Sequence, residues 1–452
     1  MTKDCIILAG GSSTRFETTL PKVFYPFINK PIIDHILDKI SLLNFEKIII
    51  VTGLRTHDLF EPYIEKYNAI RVMQKQPNGT WDAVVQGLSE VISKEVMIIN
   101  ADLPLVSFDI LKKVYQSPSD LTIVSTNHPD PYGYGRIIRN EDNHFLEIIE
   151  EKNLNNTQKK INEINAGIYK FQSSILKNKK NITPDELTHE WYLTKFWDSS
   201  SDFIFDTNVI FEKDHRIVSG INTFSQLEEL ETFYYEIQRE RLVRAGVFLK
   251  NSKNIFIEET VQVEANVIIN GPCYIKGNTI LKEGSIVEPF TTIIDSKIGS
   301  DNHVKSYSLI EQTQSATACH LGPFLRSQEK TNLAEGVYLG SFVESKRCFL
   351  DQGSKAKHFS YIADATIGTR CNLGAFVVFC NYDGLKKHQA IIGNEVFIGS
   401  SSQLISPIYI GDYAFIGAGT TVTTNVDAKS LITRRAEIKI IQNWSRRRSC
   451  VE

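Results

Sequence analysis

The sequence predicts an α/β domain with a mostly parallel sheet, then one long helix, then an all-β domain built as a β-helix. Short apolar strands alternate with amphipathic helices up to about residue 224, which is typical of a parallel sheet covered on both faces. Residues 223–245 lack Gly and Pro and are predicted to form the helix. We expect these segments: an α/β domain at 1–222, a linking helix at 223–247, a β-helix at 248–426 and a C-terminal arm at 427–452.

The first domain is predicted from its apolar strands and the helices between them. The strands cover residues 5–9, 47–52 and 96–100. Pro31 is expected to open one helix and Thr80 to cap another, because proline suits the first helical turn and threonine is a common N-cap. Ligands bind at the carboxyl ends of the strands in such sheets, so we expect a site there.

The second domain is predicted from a repeat of six residues. Neither the 3.6-residue period of a helix nor the two-residue period of a strand explains this spacing. In a β-helix, one apolar residue of each hexapeptide points inward, and three hexapeptides close one triangular coil. The expected inward residues include Val263, Ile269, Ile275, Leu281, Val287 and Ile293, and then Ile392, Ile398, Leu404, Ile410, Ile416 and Val422.

Composition excludes several classes of protein. The 452 residues carry a net charge of −3, which gives no reason to expect nucleic acid as a partner. The seven cysteines are scattered and form no C-x-x-C pair, so neither a disulfide framework nor a zinc site is expected, and a reducing cytoplasm is the predicted location. No apolar stretch of the sequence approaches the roughly 18 residues that a membrane span needs.

A glycine-containing loop follows the first predicted strand. Residues 10–15 read Gly-Gly-Ser-Ser-Thr-Arg, and Lys22 lies just beyond Pro21. Glycines allow backbone N–H groups to close around phosphates, and Arg15 and Lys22 add positive charge where a triphosphate would lie. The loop alone is equally consistent with an ordinary tight turn.

Further motifs along the whole chain favour the phosphate-binding interpretation of this loop over the tight turn. The first half contains LAGGSSTRFETTLPKV, Gln74 with Gly79-Thr80, Asp102-Leu103-Pro104-Leu105, Gly133-Tyr134-Gly135-Arg136, Glu150 with Lys152, Glu163-Ile164-Asn165-Ala166-Gly167, Glu190-Trp191-Tyr192-Leu193-Thr194 and Gly220-Ile221-Asn222. The second half contains Val343-Glu344-Ser345-Lys346, Gly353-Ser354-Lys355-Ala356-Lys357-His358, Tyr361, Asn372, Ala375, Cys380-Asn381-Tyr382-Asp383-Gly384, Lys387 and Ser400.

From about Asp4 to Trp444, the chain resembles the bacterial bifunctional N-acetylglucosamine-1-phosphate uridyltransferase / glucosamine-1-phosphate acetyltransferases. The resemblance implies a Rossmann-like nucleotidyltransferase domain and a left-handed parallel β-helix with acetyltransferase activity. It further implies small-molecule substrates (UTP, amino-sugar phosphates and acetyl-CoA), Mg²⁺ as cofactor, and a homotrimer that packs through the flat faces of its β-helices.

The resemblance also implies roles for residues of the first domain. Arg15 and Lys22 would hold the UTP phosphates and act in catalysis, and Gln74 and Gly79 would face the uracil. The remaining expected substrate residues are Leu8, Gly10, Thr80, Gly135, Glu150, Asn165 and Asn222, and the expected Mg²⁺ ligands are Asp102 and Asn222. A phosphate oxygen of the sugar phosphate would attack the α-phosphorus of UTP, a transfer that needs alignment, a metal and cations on the leaving pyrophosphate.

For the second domain, the resemblance implies that His358 is the general base, since a histidine pKa lies near the working pH. It would take a proton from the amine of glucosamine-1-phosphate as the amine attacks the acetyl-CoA thioester. The residues expected to bind the amino-sugar phosphate are Lys346, Tyr361, Asn372 and Asn381, with Tyr382 as a further substrate residue, and the expected CoA residues are Ala375, Lys387, Ser400, Ala418 and Arg435.

Departures from the family pattern leave alternatives open. Trp81 and Asp82 are expected to add bulk and negative charge near the first site, and Asn100 replaces an aromatic residue, so the physiological sugar stays open. Gln328 stands where the family has a phosphate-binding arginine. On an extended strand, Arg326 and Lys330 would share its face and be able to compensate.

Residues 376–379, Phe-Val-Val-Phe, replace a small polar loop and are expected to reshape the CoA groove. One alternative is therefore a uridylyltransferase with a decayed or retargeted acetyltransferase domain, and another is a transferase for a different sugar. A third is a non-catalytic trimeric scaffold that binds sugar nucleotides, against which Asp102, Asn222, Lys22 and Arg15 argue.

Overall fold

The computed structural model describes residues 2–11, 20–178, 182–197, 206–434 and 439–442. The chain divides into two compact units, Met1–Tyr234 and Tyr235–Glu452. The boundary between them falls within the helix Phe224–Arg244, which corresponds to the predicted linking helix. Within the described residues, no helix is both long and apolar enough to cross a membrane.

The first unit is built on a nine-stranded mixed sheet and a two-stranded ribbon. Its strands are β1 (Lys3–Ala9), β2 (Pro26–Phe27), β3 (Lys30–Pro31), β4 (Lys47–Gly53), β5 (Ala69–Gln74), β6 (Glu95–Asn100), β7 (Leu121–Asn127), β8 (Arg136–Arg139), β9 (Phe145–Ile149), β10 (Glu163–Gln172) and β11 (Thr207–Glu212). Its helices are α1 (Ile32–Ile40), α2 (Glu61–Tyr67), α3 (Thr80–Leu88), α4 (Phe108–Gln116) and α5 (Ser173–Asn178), and α6 (Phe224–Arg244) leads out of it.

The sheet has apolar cores on both faces, as the sequence predicts. Successive residues of β1 enter different cores, since Cys5 and Ile7 pack in one cluster and Ile6 in the other. Strands β1, β4, β5 and β6 are parallel neighbours, whereas β10 runs antiparallel to β6 and β7. Pro31 immediately precedes α1, as predicted. The prediction for Thr80 is wrong, because Gly79 holds the N-cap position of α3 and Thr80 is its first helical residue.

The second unit is a left-handed parallel β-helix. One face contains Phe248–Lys250, Ile268–Asn270, Ile286–Val287, His303–Val304, His320–Leu321, Tyr338–Ser341, Lys355–His358, Asn372–Leu373, Phe397–Ile398, Phe415–Ile416 and Leu431–Ile432. The other two faces alternate along the chain and contain Ile255–Ile257, Gln262–Val263, Cys273–Lys276, Ile280–Leu281, Thr291–Ile294, Lys297–Ile298, Leu309–Glu311, Thr313–Ser315, Arg326–Gln328, Thr331–Leu333, Glu344–Leu350, Tyr361–Ile367, Val378–Cys380, Ala390–Ile392, Gln403–Ile405, Ile408–Ile410 and Thr421–Val422.

The strand register confirms the predicted coil. Ile255 pairs with Cys273, and Cys273 pairs with Thr291, so these coils advance by three hexapeptides each, although other coils differ in length. The predicted inward residues are buried in one continuous core, except Val263, which is only partly buried at its edge. The corners of the coils use left-handed backbone conformations, many of them at residues other than glycine.

One corner carries a column of stacked aromatic rings. The rings belong to Phe290, Tyr307, Phe324, Phe342, Phe359 and Phe376, all with positive φ angles. Neighbouring centroids lie between 4.8 and 5.0 Å apart. The expectation for residues 376–379 is wrong for Val377 and Phe379, which are fully buried in the core of the coil. Phe376 extends the exposed column, so a reshaped CoA groove stays a prediction for that residue alone.

Candidate active sites

The first candidate site lies at the carboxyl ends of β1, β5 and β6, where the parallel sheet predicts it. A cavity of about 290 Å³ is lined by the predicted residues Leu8, Gly10, Lys22, Gln74, Gly79, Thr80 and Asp102. An adjoining cavity of about 260 Å³ shares Leu8, Thr80 and Asp102 and adds Gly135, Glu150, Asn165 and Asn222. Arg15 lies outside the described residues. The structure thus brings the other predicted residues of this domain around one continuous site.

Asp102 and Asn222 converge although they are far apart in sequence. The N–H of Ile221 donates to the backbone carbonyl of Asp102 at 3.0 Å, which fixes Asn222 beside the end of β6. Gly220 allows the approach, since a Cβ there would lie 3.2 Å from the Asp102 carboxylate. The Lys22 ammonium bridges the two side chains, 2.5 Å from Asp102 Oδ2 and 2.7 Å from Asn222 Oδ1.

This arrangement fits the Mg²⁺ that the family implies. The carboxylate oxygen of Asp102 and the amide oxygen of Asn222 both contact the same cation, the Lys22 ammonium. Both are the hard oxygen ligands that Mg²⁺ prefers. Few protein ligands are usual where substrate phosphates complete the coordination of Mg²⁺. Among the described residues, no cluster of three or more His, Cys, Asp or Glu side chains is arranged to hold a metal by protein groups alone.

The amide of Gln74 has a fixed orientation at the wall of the first cavity. Its Nε2 donates to the Gly79 carbonyl at 3.0 Å and to Asp82 Oδ2 at 2.8 Å. Both partners are acceptors only, so this end of the amide must be the nitrogen. Oε1 consequently faces Gly10, where an added Cβ would lie only 2.8 Å from it. The site thus presents an acceptor oxygen next to the glycine loop.

The short 3-10 helix Leu193–Trp197 fixes two residues that line the second cavity. The N–H of Leu193 donates to the Thr80 hydroxyl at 2.9 Å, and the Thr194 hydroxyl donates to Glu150 Oε1 at 2.6 Å. Burial raises the pKa of Glu150, and the Thr194 hydrogen bond partly offsets this. Asn165 Nδ2 donates to the Tyr169 hydroxyl at 2.6 Å, which fixes the side chain in the cavity wall.

The structure corrects one expectation here and adds residues that sequence reasoning left without a role. Trp81 is buried in the core of the sheet and does not line either cavity, so it adds no bulk to the site. Asp82 positions Gln74, and Asn100 does line both cavities. Tyr192 and Thr194 also line the site. Their only signal in the sequence was membership of the Glu190-Trp191-Tyr192-Leu193-Thr194 motif.

The second candidate site lies on the surface of the β-helix. His358 is exposed at the end of the strand Lys355–His358, directly before the corner residue Phe359. Tyr361 begins the next strand and pairs with Glu344 on one neighbouring coil and with Val378 on the other. Asn372 lies on the same face as the His358 strand, paired with Lys355.

Three of the five expected CoA residues form a column at one corner. The N–H of Ser401 donates to the Ala375 carbonyl at 2.8 Å, and the N–H of Gly419 donates to the Ser400 carbonyl at 2.8 Å. Ala375, Ser400 and Ala418 therefore occupy successive coils. Tyr382 and Lys387 lie opposite each other in the loop that follows Asn381. Arg435 lies outside the described residues.

Gln328 has a different environment from the one expected. Its side chain is only 8% exposed, lies beside Lys346 in the strand register and donates from Nε2 to Glu344 Oε1 at 3.3 Å. The expectation that Lys330 shares its face is wrong, because the strand Arg326–Gln328 ends there. Glu329 and Lys330 both adopt left-handed conformations, which turn the chain away from that face.

Acidic residues surround the cations of this site. Lys346 Nζ lies 2.5 Å from Glu329 Oε1, and Arg347 also pairs with Glu329. Arg347 makes two further hydrogen bonds to Asp364, at 2.7 and 2.8 Å, and Asn381 donates to the same carboxylate. The hydrogen bonds from Arg347 and Asn381 hold the pKa of Asp364 below its usual value, although partial burial opposes them. Sequence reasoning missed Glu329, because it belongs to no motif.

Comparison with known proteins identifies both halves. A MobA-like NTP transferase domain matches residues 5–154, and a bacterial transferase hexapeptide model of six repeats matches residues 389–424. The fold is thus that of an NTP transferase domain joined to a hexapeptide transferase domain.

Relatives match along nearly the whole chain. It is 34% identical to the bifunctional protein GlmU of Cellvibrio japonicus, over 98% of both chains. It is 36% identical to the bifunctional protein GlmU of Thermosipho africanus, over 97% of this chain and 96% of that one. For the bifunctional protein GlmU of Syntrophomonas wolfei, the identity is 34% over 96% and 98% of the two chains. The chain belongs to the GlmU family of bifunctional proteins.

Proposed function

We propose that the chain synthesises UDP-N-acetylglucosamine in two reactions. The β-helix transfers an acetyl group from acetyl-CoA to glucosamine-1-phosphate, and the α/β unit transfers a uridylyl group from UTP to the product, releasing pyrophosphate. The observation that carries the proposal is the convergence of Lys22, Asp102 and Asn222 on one point at the end of β6.

In the first unit, the chain's own residues would align two anionic substrates. Gln74 Oε1 is an acceptor suited to the N3–H of uracil, and Lys22 places positive charge beside the triphosphate. Asp102 and Asn222 would hold Mg²⁺, which neutralises phosphate charge during the transfer. Thr80, Asn165 and Glu150 would orient the sugar phosphate in the adjoining cavity.

In the β-helix, His358 would accept a proton from the substrate amine as the amine attacks the thioester carbonyl. Its exposed position at a strand end leaves room for both substrates. Lys346, Tyr361, Asn372, Asn381 and Tyr382 would bind the amino sugar. Ala375, Lys387, Ser400 and Ala418 would line the CoA groove, and we assign Arg435 to the same groove from the sequence alone.

One observation favours a second candidate, a uridylyltransferase whose acyl site is weak or retargeted. Gln328 replaces the expected arginine, and its amide is engaged with Glu344. A charged hydrogen bond to phosphate contributes roughly 1.5–3 kcal/mol, so its loss lowers rate or affinity by about one to two decades.

We further propose a cytoplasmic homotrimer assembled through the β-helix, with domain limits at 1–222, 223–247, 248–426 and 427–452. Light scattering on the full chain tests the assembly, and a monomer would refute it. The activities are tested by supplying each substrate pair separately. Pyrophosphate release is measured with UTP and N-acetylglucosamine-1-phosphate, and free CoA thiol with acetyl-CoA and glucosamine-1-phosphate. Absence of both products would overturn the proposed function.

A further inference from the structure

Glu329 forms an ion pair with Lys346, one of the residues proposed to bind the amino-sugar phosphate. Its Oε1 lies 2.5 Å from Lys346 Nζ, and its Oε2 pairs with Arg347. The hydrogen bond from Lys346 lowers the pKa of Glu329, as does the bond from Arg347, so the carboxylate is charged at neutral pH. The lysine expected to bind phosphate already has an anionic partner from the same chain.

The backbone of the β-helix holds this carboxylate in place. Glu329, Arg347 and Asp364 occupy the same left-handed corner on three successive coils. The N–H of Arg347 donates to the Glu329 carbonyl at 3.0 Å, which fixes the spacing between two of these coils. The side chains therefore alternate in charge along the corner as acid, base and acid.

The ion pairs of this cluster contain equal numbers of cations and carboxylates, and Lys387 adds a further cation near Asp364. Two cations, Lys346 and Arg347, face two carboxylates, Glu329 and Asp364. A phosphate dianion that approaches Lys346 must displace Glu329 and meets like charge from it. An amino sugar without phosphate meets no such competition.

We propose that Glu329 is a specificity-determining residue of the acyl site, which competes with an acceptor phosphate for Lys346 and shifts preference toward amino sugars that carry no phosphate. The inference rests on the proposed acetyl transfer. In that reaction the amine nitrogen bonds to the thioester carbonyl carbon and the C–S bond breaks. The amine proton passes to His358, which then gives it to the departing thiolate, so CoA leaves as the thiol.

The test compares the parent with Glu329→Gln, which keeps the shape of the side chain and removes its charge. We expect kcat/KM for glucosamine-1-phosphate to rise at least about threefold while that for glucosamine stays within twofold, because exposed ion pairs are worth a few-fold in affinity. The change should appear in KM, since His358 is untouched. Glu329→Asp keeps the charge and should retain the parent's preference.

Glu395→Gln is a matched control, because Glu395 forms a comparable surface ion pair with Arg370 on the same β-helix. It should leave both acceptors unaffected. Calorimetric titration with glucosamine-1-phosphate gives a second readout that needs no turnover, and Glu329→Gln should bind it at least about threefold more tightly. Equal binding by parent and variant overturns the inference. Absence of CoA release from either acceptor, with the binding difference intact, overturns the proposed acetyl transfer alone.

Discussion

The two candidate sites each contain an internal ion pair, but the pairs have opposite relations to their expected substrates. In the first site, Lys22 neutralises the proposed metal ligands, and the lysine itself attracts the triphosphate. In the second, Glu329 neutralises the proposed phosphate ligand Lys346 and repels a phosphate. A site can therefore retain the residues of its family and still differ in how strongly it attracts a phosphate, because the neighbours of those residues set the local charge.

The largest effect is expected from Asp102→Ala in the first site. It removes the carboxylate that Lys22 and the proposed metal share, so pyrophosphate release should fall at least about a hundredfold. Circular dichroism and light scattering should show an unchanged fold and assembly. Acetyl transfer should also be unchanged, since it belongs to the other unit. Activity within threefold of the parent would contradict the assignment.

The next largest effect is expected from His358→Ala, which tests whether the second site works at all. A general base contributes about two to four decades, so CoA release should fall at least about a hundredfold. Uridylyl transfer in the same preparation serves as the control and should not change. Equal CoA release by parent and variant would remove His358 from the mechanism.

Gln328→Arg tests the second site by a gain of activity, because it restores a cation there. Acetyl transfer to glucosamine-1-phosphate should rise by about one to two decades, matching the roughly 1.5–3 kcal/mol of a charged hydrogen bond. The gain should vanish in a His358→Ala background. If the parent already turns over well and the substitution changes nothing, then Arg326 has taken the role of the missing arginine.

The smallest effect is expected from Asp82→Ala in the first site. Among the described residues, losing the charged partner of Gln74 leaves only the Gly79 carbonyl as an acceptor for its Nε2. An amide that is less fixed can also rotate and donate from Nε2 to N3 of cytosine, so the ratio of kcat/KM for UTP over CTP should fall about three- to tenfold. Asp109→Ala, on the separate helix α4, provides a control. An unchanged ratio would show that Asp82 does not set base selectivity.

The fold was predictable because each of its signals is physically local. A buried position recurs once per hexapeptide, and the coil register follows directly from that spacing. The first site was predictable because the ends of β1, β5 and β6 meet at one edge of the sheet.

The wrong predictions concern side chains whose direction depends on how the secondary-structure elements pack. The burial of Trp81 depends on how helix α3 docks, which spacing alone does not reveal. The left-handed turn at Glu329 and Lys330 contains no glycine, so the sequence carries no signal for it. The ion pair of Glu329 with Lys346 joins neighbouring coils. Such contacts depend on the register of stacked coils, whereas the motifs that guided the prediction are contiguous in sequence.

The unequal lengths of the coils have an evolutionary consequence. Cys348 pairs with Ala365, but Ala365 pairs with Ala390 on a much longer coil, and the extra residues form a loop at one corner. Beyond the loop the strands pair in the regular register again, so the extra residues disturb no neighbouring coil. Corners of this β-helix are therefore places where segments can be gained or lost without refitting the rest of the domain. The loop that carries Tyr382 and Lys387 is such a segment, and through it a corner of the repeat presents two of the proposed binding residues.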